Sequence, residues 1–389
     1  MQFSNGQIIL PDEIIRGSLS VRDGRIAKIE KHSKRAPKRG ADVFDLKGGF
    51  LAPGFIDLHI HGGMGRDTME ATEDAFRAIT EFHLRGGTTS ITLTTVTAPE
   101  EDILRTLDAV KPFHNKSIGN GARIVGVHIE GPFIALGKAG AQNPKFIRNP
   151  MPREWKKYLR YGKLVTEMTI APENPGTLEL IKGLRKNGAI ASGGHTDATD
   201  EHLVPALKAG LNQATHTFNA MSTITKRGPY RLAGMIEFAM AQDEIMAELI
   251  ADTVHVPPIL MRMLINAKGR DGVVIITDAT LGAGLPPGTK FDLFGISART
   301  TEQVAVMDDG TGLAGSTLTM IEGVRRVHQL AGAPLADAVR MASLNPARQL
   351  GRAKEFGSLE TGKRADLVWF DDRFRVRGVW VDGERKFQA

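Results

Sequence analysis

Between Pro53 and Gly351 the chain repeats one pattern eight times: a short apolar run, a loop and, in most cases, a helical stretch. The runs are Phe55–Ile60, Ser90–Thr95, Ile124–Glu130, Glu167–Ala171, Ala189–His195, Gln213–Thr217, Ala247–Asp252 and Val273–Asp278. Between them, Ala71–Arg85 has Thr72 as its N-cap and Gly86-Gly87 at its end, and Pro99–Val110 opens on proline at the first helical position. Thr177–Lys186 is closed by Gly188, and Asp200–Ala209 by Gly210. Eight strands alternating with helices predict an α/β fold, a (β/α)8 TIM barrel rather than an open doubly wound sheet. No glycine-rich phosphate fingerprint follows the first strand. Gly282–Gly288 lacks the GK[ST] of a P-loop and reads as a lid or a plain loop.

The two ends read differently. Residues 1–52 alternate in short β pieces (Gln7–Leu10, Gly17–Val21, Arg25–Glu30) with turn signals at Asn5-Gly6 and Asp23-Gly24. Ala365–Phe387 has the same character. Two such segments at opposite ends of a chain can pair, which predicts a small β-sandwich domain formed by residues 1–52 and 352–389 around the barrel of 53–351.

Composition removes several classes of function. With no cysteine there is no disulfide framework, thiol nucleophile or Cys-ligated zinc, so any metal must sit on His, Asp and Glu. The first residues lack the basic start and apolar run of a secretory signal, and no apolar stretch approaches the roughly 18 residues a membrane span needs; a cytoplasmic protein is expected. The net charge of +6 is confined to the ends: residues 1–52 carry 10 Lys+Arg against 6 Asp+Glu, residues 352–389 carry 9 against 7, and the barrel segment is balanced at 31 each. A solvated basic face, including the run Lys28–Arg39, is the expectation rather than a nucleic-acid surface.

Chemistry collects at the strand ends. In PGFIDLHIH, alternation puts Asp57, His59 and His61 on one face of the first strand and Ile56, Leu58 and Ile60 on the other. The third strand ends in Glu130, the fifth in His195, the sixth in His216 and the eighth in Asp278. In a barrel these ends converge on one mouth. Imidazoles with carboxylates favour Zn²⁺ or Fe²⁺ over Mg²⁺ or Ca²⁺. Glu130, His195 and His216 make a His₂Glu set that leaves room for water, whose pKa such a metal lowers from roughly 15.7 to about 7. Asp278 is then placed to take the water's proton and pass it to a leaving group. His128 reads as a residue behind the ligands. His32, His83, His114, His202 and His328 read as surface or packing residues.

These residues sit in longer motifs: PGFIDLHIHG, GVHIEGPF at 126–133, GHTDA at 194–198, THTFNAM at 215–221, ADTVHV at 251–256, ITDAT at 276–280, LAGS at 313–316 and GKRADLV at 362–368. Together they resemble the amidohydrolase superfamily and, within it, the N-acetylglucosamine-6-phosphate deacetylase family. The resemblance implies metal-dependent removal of acetate from N-acetylglucosamine 6-phosphate, in amino-sugar catabolism. It assigns the metal to Glu130, His195 and His216 and the acid/base role to Asp278. His59 and His61 imply a second ion bridged through Glu130, hence one or two ions per subunit. Asn219, Ala220 and Arg227 match groups that hold the sugar phosphate, with Arg227 reaching the neighbouring site of a homodimer. His255, Ala141, Gln142 and Leu313, Ala314, Gly315 and Ser316 match substrate contacts. Gln142, in GAQNP, stands where the family often carries a histidine; it can hydrogen-bond but carries no charge. A hydantoinase-like relative would carry a lysine on the fourth strand, but EMTIAP has none and Lys163 precedes it.

Overall fold

The computed structural model describes residues 1–31, 43–293 and 295–389. His32 and most of the basic run Lys28–Arg39 lie outside them. All eight expected barrel strands are present: β1 (Phe55–Ile60), β2 (Thr88–Thr95), β3 (Arg123–Glu130), β4 (Val165–Ile170), β5 (Ile190–Gly193), β6 (Gln213–Ala214), β7 (Met246–Ile250) and β8 (Val273–Ile276). They pair in sequence order, each parallel to the next. The ring closes between β8 and β1 through Asp278 N–H to His59 O (2.9 Å) and His61 N–H to Ala279 O (2.8 Å). The closing hydrogen bonds therefore come from the residues expected to do chemistry.

Strand alternation sorts the barrel's two faces. Ile56 and Leu58 pack outward with Val274, Ile276 and Phe356, while His59 on the other face meets Glu130 and Glu248. The helices begin and end close to the sequence signals. Thr72 Oγ1 accepts the Ala75 N–H ahead of Glu73–Arg85, and Gly188 (φ +78°) ends Thr177–Asn187 in the left-handed conformation that glycine adopts without strain. Pro99 is a correction: it stands one residue before the helix Glu100–Val110, with φ −53° and an extended ψ of 150°.

The terminal segments build one further sheet, in the order Glu384–Gln388, Val376–Val381, Leu367–Phe370, Phe50–Pro53, Gln2–Ile9, Ile14–Arg22, Arg25–Lys31. The two ends of the chain join where Phe50–Pro53 pairs antiparallel with Leu367–Phe370. Phe3 and Trp380 lie on non-neighbouring strands, yet their rings meet edge-to-face at 4.7 Å, so the sheet folds over its own core as a sandwich does. Asn5-Gly6 is not a turn: it lies inside the strand Gln2–Ile9, where the register shifts and Asn5 takes φ +56°. A short Asn-Gly pair signals φ > 0, which a bulge satisfies as well as a hairpin.

One buried ion pair ties the two parts together. Arg123, at the start of β3, grips Asp366 with both terminal nitrogens (2.7 and 3.0 Å), and Asp382 adds a third contact at 2.8 Å. Burial works against the guanidinium's charge, but the two carboxylates outweigh it and keep Arg123 protonated. Asp366→Ala leaves that cation short of its buried partner and should cost about 3–5 kcal/mol in urea denaturation. A loss below about 1 kcal/mol would show that the pair is dispensable.

A further sheet was not expected from the sequence. Lys290–Leu293, Ile296–Thr300, Val304–Met307 and Leu313–Ser316 form a four-stranded antiparallel insert after β8. Its last strand leans back on the barrel, with Ser316 bridged to Ala279.

Candidate active site

The strand ends do converge, but the strands stop earlier than their apolar runs. β5 ends at Gly193, β6 at Ala214 and β8 at Ile276, and His195 (φ +47°), His216 (φ +32°) and Asp278 (φ +48°) follow in left-handed backbone. That conformation is uncommon outside glycine, and its clustering at one mouth marks a constrained site. It breaks the strand alternation and lets each side chain turn toward the centre.

At that centre Glu130 holds the histidines together. Its Oε1 lies 3.1 Å from His216 Nε2 and 3.3 Å from His195 Nε2, and its Oε2 lies 3.2 Å from His61 Nε2. His195 and His216 face each other at 3.0 Å through their Nε2 atoms, and His59 and His61 at 3.3 Å. Asp278 Oδ1 is 3.3 Å from His61 and 3.5 Å from His59. Two groups result, each with its ligand atoms within 4.8 Å of one another: Glu130, His195 and His216; and His59, His61 and Glu130. Either can hold a metal ion.

The donor set fits such an ion. Ligands about 2.0 Å from a tetrahedral metal stand roughly 3.3 Å apart, close to the nitrogen and oxygen separations found here. His195 Nδ1 is 2.7 Å from Lys138 O and His59 Nδ1 is 3.2 Å from Glu248 Oε2, contacts that leave the Nε2 lone pairs for a metal. The electrostatics agree. Burial alone would raise the Glu130 pKa, but His59, His195 and His216 drive it well below the usual carboxylate range. Burial would lower His61, but its contacts with Asp278 and Glu130 push it up to about 9. Asp278 is held down at about 2 by His59 and His61, against its burial. The imidazoles thus keep both carboxylates in their anionic, metal-binding form.

Behind the ligands the barrel interior is polar. Glu248, on β7, meets His59 Nδ1 with one oxygen and accepts the His216 N–H (2.9 Å) with the same one; its other oxygen accepts from Gln213 Nε2 at 2.9 Å. Gln213 also donates to Glu167 at 2.6 Å, and burial together with the Glu248 charge raises the Glu167 pKa well above normal. His128 packs edge-on against His59 at 4.5 Å and bonds Thr169 Oγ1 at 2.8 Å; burial foremost, then the His59 charge, lowers its pKa well below normal. Glu248 was not singled out from the sequence, although a carboxylate inside an apolar strand was a usable sign. Away from this centre, His83 bonds Gly62 O, His202 accepts the Thr199 N–H at a helix start, and His328 bonds Ala333 O.

The cluster opens into a cavity of about 420 Å³. Of the expected substrate contacts, Ala141, Gln142, Asn219, Ala220, His255, Leu313 and Gly315 line it. Ala314 and Ser316 lie just behind the wall: Ala314 O accepts from Thr280 Oγ1, and the Ser316 N–H donates to Asp278 O at 2.8 Å. Gln142 spans Glu130 Oε2 (2.5 Å) and the Thr97 N–H (2.7 Å), so it clamps the central carboxylate as well as facing the cavity. His255 Nδ1 is 2.5 Å from the buried Asp252. Arg227 is elsewhere. It sits on an exposed hairpin, Thr225–Arg227 with Tyr230–Leu232, paired with Glu201 at 2.9 Å. Leu293, Met307, Thr311 and Gly312, from the insert, also line the cavity and were missed in the sequence.

A closed parallel barrel with His and Glu metal groups and an aspartate at its C-terminal mouth defines the class of metal-dependent barrel hydrolases. The model of the amidohydrolase family matches residues 50–386. An N-acetylglucosamine-6-phosphate deacetylase of Lysinibacillus sphaericus is 36% identical over 371 residues, covering 95% of this chain and 93% of that protein. An N-acetylgalactosamine-6-phosphate deacetylase of Shewanella sp. (strain ANA-3) is 34% identical over 374 residues, covering 96% and 92%. A mutant N-acetyl-D-glucosamine-6-phosphate deacetylase of Mycobacterium smegmatis, solved with N-acetyl-D-glucosamine-6-phosphate, superposes with a TM-score of 0.90 at 32% identity, covering 100% and 99%. The chain belongs to the amidohydrolase family and, within it, to the N-acetylglucosamine-6-phosphate deacetylase group.

Proposed function

We propose that this protein hydrolyses the acetamide of N-acetylglucosamine 6-phosphate, giving acetate and glucosamine 6-phosphate. The observation that carries the reading is Asp278 set beside a Glu130–histidine cluster at the floor of a sugar-sized cavity. Glu130, His195 and His216 would hold a divalent cation, zinc by preference and iron as the alternative, and His59 and His61 with Glu130 would hold a second. Bound there, the cation supplies Lewis acidity that polarises the amide carbonyl and brings a water's pKa into the neutral range. Asp278, beside His61 and His59 on the cavity wall, takes the water's proton and delivers it to the departing amine. His255, oriented by Asp252, and Gln142 face the N-acetyl sugar, while Asn219 and Ala220 lead toward its phosphate.

The phosphate needs a cation of its own, apart from the metal cluster. Among the cavity's described lining residues there is no Lys or Arg. A homodimer that brings Arg227 from a second copy supplies a guanidinium with paired donors for phosphate oxygens. Arg227→Ala should raise KM for the phosphorylated sugar about ten- to a hundredfold and leave that for N-acetylglucosamine unchanged. Equal effects on the two would remove the phosphate role. We assign residues 53–351 to the catalytic barrel and 1–52 with 352–389 to the β domain, and place the enzyme in the cytoplasm. Among the described residues no helix is long and apolar enough to cross a membrane.

The test is acetate release by the purified protein from N-acetylglucosamine 6-phosphate and from its 4-epimer. Faster turnover of the first is expected. Preference for the 4-epimer would move the protein to the second activity its relatives carry, and no acetate from either would end the proposal.

A further inference from the structure

A second cavity lies at the opposite end of the barrel, where the strands begin. At about 610 Å³ it is larger than the catalytic one. Val125 near the start of β3, Val165 at the start of β4, and Gly188 and Asn212 just ahead of β5 and β6 form part of its wall. Since β3 runs on from Val125 to Glu130, about 17 Å of strand separates this cavity from the catalytic cluster.

Its charge is lopsided. Lys163, Arg185, Arg348 and Arg352 line it against a single carboxylate, Glu355. Two of these cations are matched, Arg348 by Asp271 at 2.5 Å and Arg352 by Glu355 at 2.7 Å. The other two are not. Lys163 Nζ donates to Asn187 O (3.1 Å) and Arg185 Nη1 to Ala189 O (2.8 Å), and neither makes an ion pair among the described residues. Those two carbonyls flank Gly188, so the unmatched cations are gathered on one wall. Burial pulls the Arg185 pKa down with no carboxylate to offset it. Nor is this the overflow of a basic surface, because residues 53–351 carry 31 charges of each sign.

We propose that this basal cavity binds a small phosphorylated metabolite of sugar-phosphate size, with its phosphate between Lys163 and Arg185. A guanidinium and an ammonium without counter-ions on one wall suit a dianion better than any neutral ligand. The volume falls in the range of sites for whole small molecules, roughly 300–1,000 Å³, and exceeds what inorganic phosphate fills. Asn115 and Thr166 add an amide and a hydroxyl for a polyol, while the Gln349 amide is tied at both ends to Asn212. The site is independent of the activity proposed above, and its readout is binding rather than turnover.

Calorimetric titration with glucose 6-phosphate, which has no N-acetyl group, and with inorganic phosphate tests it. The unmodified protein should bind glucose 6-phosphate, at least tenfold tighter than inorganic phosphate. Lys163→Ala/Arg185→Ala should weaken that binding at least tenfold, the charge-keeping pair Lys163→Arg/Arg185→Lys should retain it, and Arg227→Ala should not change it. Lys163→Glu alone, on an exposed chain, serves if the double variant does not fold. No binding to the unmodified protein, equal binding of inorganic phosphate, or an affinity unmoved by Lys163→Glu and the double variant would each overturn the assignment.

Discussion

Asp278→Asn should keep metal and substrate binding and lose about a thousandfold in turnover, the middle of the range for a positioned general acid/base. That loss corresponds to roughly 4 kcal/mol of transition-state stabilisation. The substitution suits the position. Asp278 has φ +48°, and asparagine is one of the few residues that tolerates left-handed backbone, so the loop is not disturbed. The amide also keeps an oxygen toward His61 and His59, now 3.3 and 3.5 Å from Asp278 Oδ1. What is removed is the carboxylate's charge and, with it, the capacity to accept and return a proton. Single-turnover acetate release at saturating substrate, with metal content measured on the same sample, checks it. Turnover within about fivefold of the unmodified enzyme would show that another group moves the proton.

Glu130→Ala should strip the metal altogether. Glu130 is 1% exposed and supplies an oxygen to both ligand groups, so its loss leaves four imidazoles facing one another with Asp278 as the carboxylate nearest the Nε2 atoms of His59 and His61. Less than about a tenth of the normal metal content is expected by elemental analysis after gel filtration, because ligand affinity falls steeply when a shared anionic donor is lost. Glu130→Gln preserves volume and the link to Gln142, so it separates loss of charge from loss of packing. Normal metal content in Glu130→Ala would mean that the histidines bind without the bridge.

The barrel was legible because its strands carry long β-branched and apolar runs, such as Ser90–Thr95 and Ile124–Glu130, separated by capped helices. The ligands were legible because His and carboxylate residues recur at the ends of those runs. The place where each strand stops was not. Gly194 and His195 continue the β5 run in composition, and nothing in that composition signals the left-handed backbone that His195, His216 and Asp278 adopt. The insert at residues 290–316 escaped notice because KFDL, ISART and VAVM are only four or five residues long, half-exposed and interrupted by turns, so their alternation is too short to stand out. Glu248 was hidden inside an apolar strand for the same reason that it matters: it faces inward, where a barrel interior is usually filled with aliphatic side chains.

The account depends most directly on a cation sitting among Glu130, His195 and His216. Crystals of the zinc-reconstituted protein, measured on both sides of the zinc absorption edge, should give an anomalous peak within about 2.3 Å of Glu130 Oε1 and of the Nε2 atoms of His195 and His216. Strong anomalous density elsewhere with none between these three side chains would contradict it.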